Sequence, residues 1–250
     1  PPSSDQWSLG LRHDFGFATA AVAYTGVKSK DQLTWTCGIK AADGGCDWGA
    51  RPAPGYGFSL LSRGKEAWYD SIQVTVDRPF SASRRWGASL SYVWSDAKQT
   101  GNDLFSWGKL DPVNGTKQTS PGAQEHQVTL SGIVALPLDF RFGALVTMGS
   151  GYPFYVTDCS AGWSKCVELV GGGDPPKWTQ SVDVRLEKRF AISGAFHANV
   201  FAEAVNVFNY TNETGYDGWK PALPEVNANF GKAGSGYNPR RLQLGASLAF

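Results

Sequence analysis

The final eleven residues, Arg240–Phe250, read Arg-Arg-Leu-Gln-Leu-Gly-Ala-Ser-Leu-Ala-Phe. As an extended strand, Leu242, Leu244, Ala246, Leu248 and Phe250 fall on one face. Arg241, Gln243, Gly245, Ser247 and Ala249 fall on the other. No other feature limits the fold as much. Period-two alternation ending on an aromatic residue is the closing strand of a bacterial outer-membrane barrel, where one face meets lipid and the other a wet lumen. The expected fold class is all-β, an antiparallel transmembrane β-barrel.

The same periodicity predicts nine strands, near Gln6–Asp14, Ala18–Val27, Trp68–Arg78, Trp86–Ala97, His126–Leu136, Phe140–Gly149, Gln180–Arg189, Ala195–Asn206 and Arg240–Phe250. In the fourth, Trp86, Ala88, Leu90, Tyr92 and Trp94 oppose Gly87, Ser89, Ser91, Val93 and Ser95. The connections alternate in length. Phe15–Phe17, Pro79–Arg85, Pro137–Asp139 and Phe190–Gly194 are short, whereas Lys28–Ala67, Lys98–Glu125, Ser150–Thr179 and Val207–Pro239 are long. Short turns on one rim and long loops on the other fit periplasmic and extracellular ends. A soluble sandwich would share the alternation but not loops of this length on one side only. Aromatics at strand ends, such as Trp7, Tyr24, Trp86 and Phe140, suit interfacial girdles. Nine is an odd count, while single-chain bacterial barrels are even. The expectation is one barrel region over residues 1–250, the C-terminal part of a larger barrel whose plug and earlier strands lie elsewhere. A tenth strand at Tyr56–Ser62 would instead complete a small barrel.

Composition is compatible with this reading. No apolar run reaches the length of a membrane-spanning helix, about 18 residues. A spanning strand needs only about 9–11 residues with alternate ones apolar, so a mean hydropathy of -0.27 fits a barrel. A net charge of +1 gives no general attraction to nucleic acid, and none is expected as a partner. The four cysteines form two close pairs, Cys37 with Cys46 and Cys159 with Cys166, in the long polar links. Local pairing is the simplest of three connectivities and fits an oxidising compartment. A zinc site is the rival, but no CxxC spacing occurs and His13, His126 and His197 lie within predicted strands.

Several segments then resemble the C-terminal barrel of TonB-dependent outer-membrane receptors. They are Tyr69–Ala97 (YDSIQVTVDRPFSASRRWGASLSYVWSDA), Gly149–Val156 (GSGYPFYV), Ser181–Phe190 (SVDVRLEKRF), Phe201–Asn212 (FAEAVNVFNYTN) and Asn238–Phe250 (NPRRLQLGASLAF). The nearest flavour is the Oar-like subfamily, which carries a carboxypeptidase-regulatory-like domain. The resemblance implies a 22-stranded barrel, filled by an N-terminal plug. It also implies active uptake of an unidentified extracellular ligand, driven by the TonB complex. A passive porin-like channel complete in ten strands and a surface adhesion or structural barrel are the alternatives. Outer-membrane lipid and the barrel-assembly machinery are the remaining expected partners. Leu242, Leu244, Leu248 and Phe250 would be the assembly signal.

Alternation aims Arg12, Asp14, Asp77, Arg141, Asp183, Arg185, Glu187, His197, Glu203 and Arg241 at the lumen, as a plug-facing scaffold or a permeation path. In the long links, Trp35, Trp48, Trp107, Trp163 and Trp219 are candidates for ligand contact by stacking; loop-to-loop packing is the alternative use. Enzyme signatures fail. Gly149-Ser150-Gly151 and Gly234-Ser235-Gly236 do not fit Gly-x-Ser-x-Gly, and neither HExxH nor a P-loop occurs. Glu125 and His126 sit near the outer rim without an identifiable nucleophile. The loop carboxylates Asp158, Asp174 and Asp217 form no Asp-x-Asp-x-Asp-Gly calcium loop. No catalytic residue, metal or cofactor is expected.

Overall fold

The computed structural model describes residues 1–37, 39, 42, 47, 49–51, 53–54, 59–100, 117–120, 122–163, 166–170, 177–194 and 196–249. In chain order the strands are β1 (Ser3–Asp14), β2 (Thr19–Cys37), β3 (Ser59–Arg78), β4 (Trp86–Gln99), β5 (Gln118–Thr119), β6 (His126–Ala135), β7 (Phe140–Gly149), β8 (Tyr155–Asp158), β9 (Val167–Val170), β10 (Thr179–Ser193), β11 (Phe196–Val205), β12 (Asn212–Tyr216), β13 (Trp219–Lys220), β14 (Ala233–Tyr237) and β15 (Arg241–Ala249). Nine of them form one antiparallel wall in the order β1-β2-β3-β4-β6-β7-β10-β11-β15, with β5 added beside β4. Among the described residues, β1 and β15 each pair with one neighbour and form the two edges of the sheet.

All nine predicted strands are present, and Phe140–Gly149 has the predicted bounds. The Lys28–Ala67 link is different. β2 runs on to Cys37 and pairs with β3 back to Ser59, through irregularities between Ser29 and Thr34. Ser59–Ser62 therefore belong to β3, and the reading of Tyr56–Ser62 as a separate tenth strand is corrected; residues 56–58 lie outside the described residues. Leu33, Trp35 and Cys37 still alternate with Gln32, Thr34 and Thr36, but the polar run Lys28–Gln32 and the irregular register separate this segment from the rest of β2.

Register aligns like with like. One row across the wall reads Ala20, Val76, Leu90, Leu130, Val146 and Val182. A second reads Trp86, Val134, Phe142, Leu186, Ala202 and Leu244. Next to the first row, on the opposite face, runs Arg12, Ala21, Thr75, Ser91, Thr129, Thr147 and Ser181. A slip of one residue would exchange the faces, so pattern and register enforce each other. Charges on the apolar face sit at the rims. At the turn end, the Arg78 guanidinium lies 3.3 Å from the centre of the Trp86 ring. Lys188 donates to the Leu138 carbonyl and lies over Phe140 and Phe190. Both keep the charged head at the interface and the stem in apolar surroundings. At the loop end, Tyr24 donates to Asp70 (2.5 Å) and Lys98 pairs with Asp96 (2.6 Å). Gly26 is required where it stands, because the Trp7 indole covers it and a Cβ would collide with that ring.

Candidate functional site: the loop platform at the wide rim

Two long links, 150–178 and 206–240, fold onto each other at the loop end of β6, β7, β10 and β11. In the first, β8 and β9 form a hairpin whose ends are joined by the Cys159–Cys166 disulfide. From the second, β13 adds in parallel to β8, while β12 and β14 pair nearby. Trp163 and Trp219 stack across the junction with centroids 5.9 Å apart, and Lys220 reaches Asp158 at 3.4 Å. Phe154 packs on Tyr216 at 5.4 Å. Val156 and Cys159 are wholly buried.

Asparagines tie this platform to the wall. Asn206 adopts a left-handed backbone (φ 50°), which ends β11, and its side chain is fully buried. Its amide donates to the carbonyls of Tyr210 (2.9 Å) and Asn238 (2.7 Å), and its oxygen accepts from the Tyr210 N–H (2.9 Å). The Asn206 N–H donates to Asp183 Oδ1 (2.8 Å) on β10. Asn212 makes a reciprocal pair with the Gln180 backbone at 2.7 and 2.9 Å. Gln124 lies across Gly149, where a Cβ would meet its amide at 2.5 Å, and donates to Ser150 O and Thr179 Oγ1.

Two hollows result. One, of about 210 Å³, lies on the polar face under the platform, against Gln127, Thr129, Thr147 and Ser181, with Tyr152, Asn212 and Asn238 as its outer lip. The other, of about 520 Å³, is formed by Tyr152, Phe154, Tyr155 and Tyr216 with Glu213. Lys177 pairs with Glu213 at 2.8 Å, and this pair raises the lysine above its ordinary pKa. Hydrogen bonds from Ser160, then the nearby Lys220, hold Asp158 below the usual carboxylate range. Asp217 is lowered by the Trp219 N–H and by Asn227.

The residues singled out from sequence divide as follows. Register places Arg12, Asp14, Asp77, Arg141, Asp183, Arg185, Glu187, His197, Glu203 and Arg241 on the face opposite the leucines. Arg185 bonds Glu187 (2.9 Å) and Glu203 (3.3 Å) and lies over the Phe201 ring, which itself covers Gly245. Asp14 caps the first turn through the Gly16 N–H. Asp183 accepts from Ser181 as well as Asn206. Trp163 and Trp219 face each other, so loop packing occupies at least one face of each. Trp35 and Cys37 are in β2 rather than in a loop. Trp48, Trp107, Cys46 and Phe250 lie outside the described residues. Cys159 and Cys166 are bonded as expected. Leu242, Leu244 and Leu248 stand exposed on β15. His126 joins an aromatic stack, between Tyr92 at 6.2 Å and Trp178 at 6.1 Å, with its Nδ1 3.0 Å from the Tyr92 hydroxyl. Asn206, Asn212 and Gln124 were not anticipated. Asn in the run Phe201–Asn212 was visible, but its partners are distant in sequence.

The profile of the outer membrane beta barrel domain matches residues 1–164, more than half of the chain. The chain belongs to that family. Its home is therefore the bacterial outer membrane, and its exposed apolar face is the one suited to lipid. Solved structures agree on the fold. The pyoverdine outer membrane receptor FpvA from Pseudomonas aeruginosa PAO1, bound to pyoverdine, superposes with a TM-score of 0.60 at 15% identity, over 99% of this chain and 30% of the receptor. The outer membrane transporter YddB from Escherichia coli superposes at 0.61 with 12% identity, over 98% of this chain and 32% of the transporter. A complex of FpvAI with pyocin S2 gives 0.59 at 14% identity, over 99% and 27%. This barrel region thus spans about a third of the length of these structures or less. No curated protein matches it in sequence.

Proposed function

We propose that this chain is the closing wall and extracellular capture rim of a TonB-dependent receptor that actively imports an extracellular ligand. The observation that carries the reading is the platform. Two loops held by a disulfide, a parallel strand pair and buried asparagines hold a hollow open onto the bore. A rim preorganised in this way loses little conformational entropy when it captures a ligand. The nine strands are a section of a barrel of about 22 strands; its other strands pair with β1 and β15, because unpaired backbone is not tolerated in hydrocarbon. Arg185 with Glu187 and Glu203, and Arg141 opposite Glu187, offer a plug alternating charges at the bore wall. Uptake by cells carrying the full-length protein, measured with and without the proton gradient, tests this. Gradient-dependent accumulation is expected; equal flux in both conditions would establish a passive channel instead.

The exposed stripe Leu242, Leu244 and Leu248, with Phe250 beyond it, serves as the signal for the barrel-assembly machinery. Deleting Phe250 lowers the amount of full-length protein recovered in the outer membrane. Unchanged recovery refutes this role.

A further inference from the structure

The two hollows of the platform share Tyr152 and have complementary linings. The bore-side hollow presents the amides and hydroxyls of Gln127, Thr129, Thr147, Ser181, Asn212 and Asn238 beside the apolar Val128 and Met148. None of its described lining residues carries a charge. The outer hollow presents Tyr152, Phe154, Tyr155 and Tyr216, and the one carboxylate among its described lining residues, Glu213, is matched by Lys177 at 2.8 Å. At about 520 Å³ the outer hollow has the size of an ordinary small-ligand site.

That pairing selects a chemistry. Anionic chelates, carboxylates and phosphates are held by arginine and lysine forks, and the lining supplies neutral groups instead. A wholly apolar ligand would set its surface against the Gln127 amide oxygen and the Thr129 and Thr147 hydroxyls, which line the bore-side hollow, and offer them no hydrogen bond. A sugar ring satisfies both halves. Its C–H face lies flat on an aromatic ring, and its hydroxyls both donate and accept, as Gln and Asn amides require.

We infer that the double hollow binds a neutral oligosaccharide, with one sugar ring against Tyr152 and the next reaching Gln127 and Thr129. The inference rests on the ligand-capture reading above and names the class of ligand. Full-length protein in lipid nanodiscs is titrated calorimetrically with neutral cello-, malto-, xylo- and manno-pentasaccharides, with oligogalacturonate, and with ferric citrate. Saturable binding of at least one neutral saccharide is expected, and none of the two anionic probes. Tyr152→Ala weakens that binding about tenfold, equivalent to about 1.4 kcal/mol, and Tyr152→Phe retains most of it. Gln127→Leu weakens it as well. Heat-modified migration reports that each variant remains folded. Binding of the anionic probes alone overturns the inference. So does a failure of every neutral saccharide, or neutral binding that Tyr152→Ala and Gln127→Leu leave unchanged. Energised uptake is a separate readout: saccharide binding with gradient-independent flux refutes the TonB-driven reading and leaves this inference standing.

Discussion

The wall and the platform hide their apolar side chains in opposite ways. In the wall, Leu90, Leu130, Phe142, Leu186 and Val200 all remain exposed to the surroundings. In the platform, Phe154, Val156, Cys159 and Ala222 are buried by protein. Among the described residues, the one buried apolar residue outside the two long loops is Ala18, at a turn. The wall therefore needs a bilayer to complete its burial and relies on ladder hydrogen bonds within its own plane. The platform is a small water-facing domain with its own core, a disulfide and side-chain hydrogen bonds. One chain is adapted to two solvents, and Tyr92, His126 and Trp178 stack in a row of the kind that suits the interface between them.

Substitutions can break this comparison. The largest effect is expected from placing a charge in hydrocarbon. Leu90→Arg should destabilise the full-length protein in vesicles by about 3 kcal/mol, while Ser91→Arg, one residue away on the bore face, costs far less. Denaturant unfolding in lipid vesicles measures both; equal losses would mean that the faces are misassigned. Replacing Cys159 and Cys166 by serine should cost the platform about 2 kcal/mol. Protease nicking within 150–178 on intact cells should rise, with heat-modified migration of the wall unchanged. Asn206→Ala removes three side-chain bonds at a buried site and should cost about 1–2 kcal/mol. Faster amide exchange at Tyr210 is its signature, and unaltered exchange would show that the backbone alone ends β11.

Acid gives the smallest effect and sharpens the contrast. Asp158 and Asp217 both titrate below their ordinary value of 3.8 because bonded donors favour the charged form. Their contribution is complete at neutral pH and lost as pH falls through the lowered values, so the platform should loosen only below about pH 4. Amide exchange near Ser160 and Trp219 follows this. Loosening between neutrality and pH 5 would point to other groups.

Much of the wall could be read directly from residues. Alternation in Trp86–Ser95 and Gln180–Arg189 indicated strand and face together, and the register found between strands keeps those faces aligned. The same logic set Arg185, Glu187 and Glu203 on a single surface. It missed Trp35 as a strand residue, because the polar run Lys28–Gln32 separates the alternating segment Gln32–Cys37 from the rest of β2. For Trp163 and Trp219 it left ligand stacking and loop-to-loop packing both open, and the two rings contact each other. Nothing local in Asn206 or Asn212 announces that one holds the Asn238 carbonyl and the other the Gln180 backbone.

Sequence by itself determined the strands, their faces and the rim on which long loops gather, because each follows from a two-residue period imposed by two solvents. Only the tertiary structure decided that two of those loops fold into one platform bordered by two hollows that share Tyr152. Those contacts join residues some thirty to sixty positions apart, such as Gln180 with Asn212 and Asp158 with Lys220, and they are made by side chains whose partners no periodicity specifies.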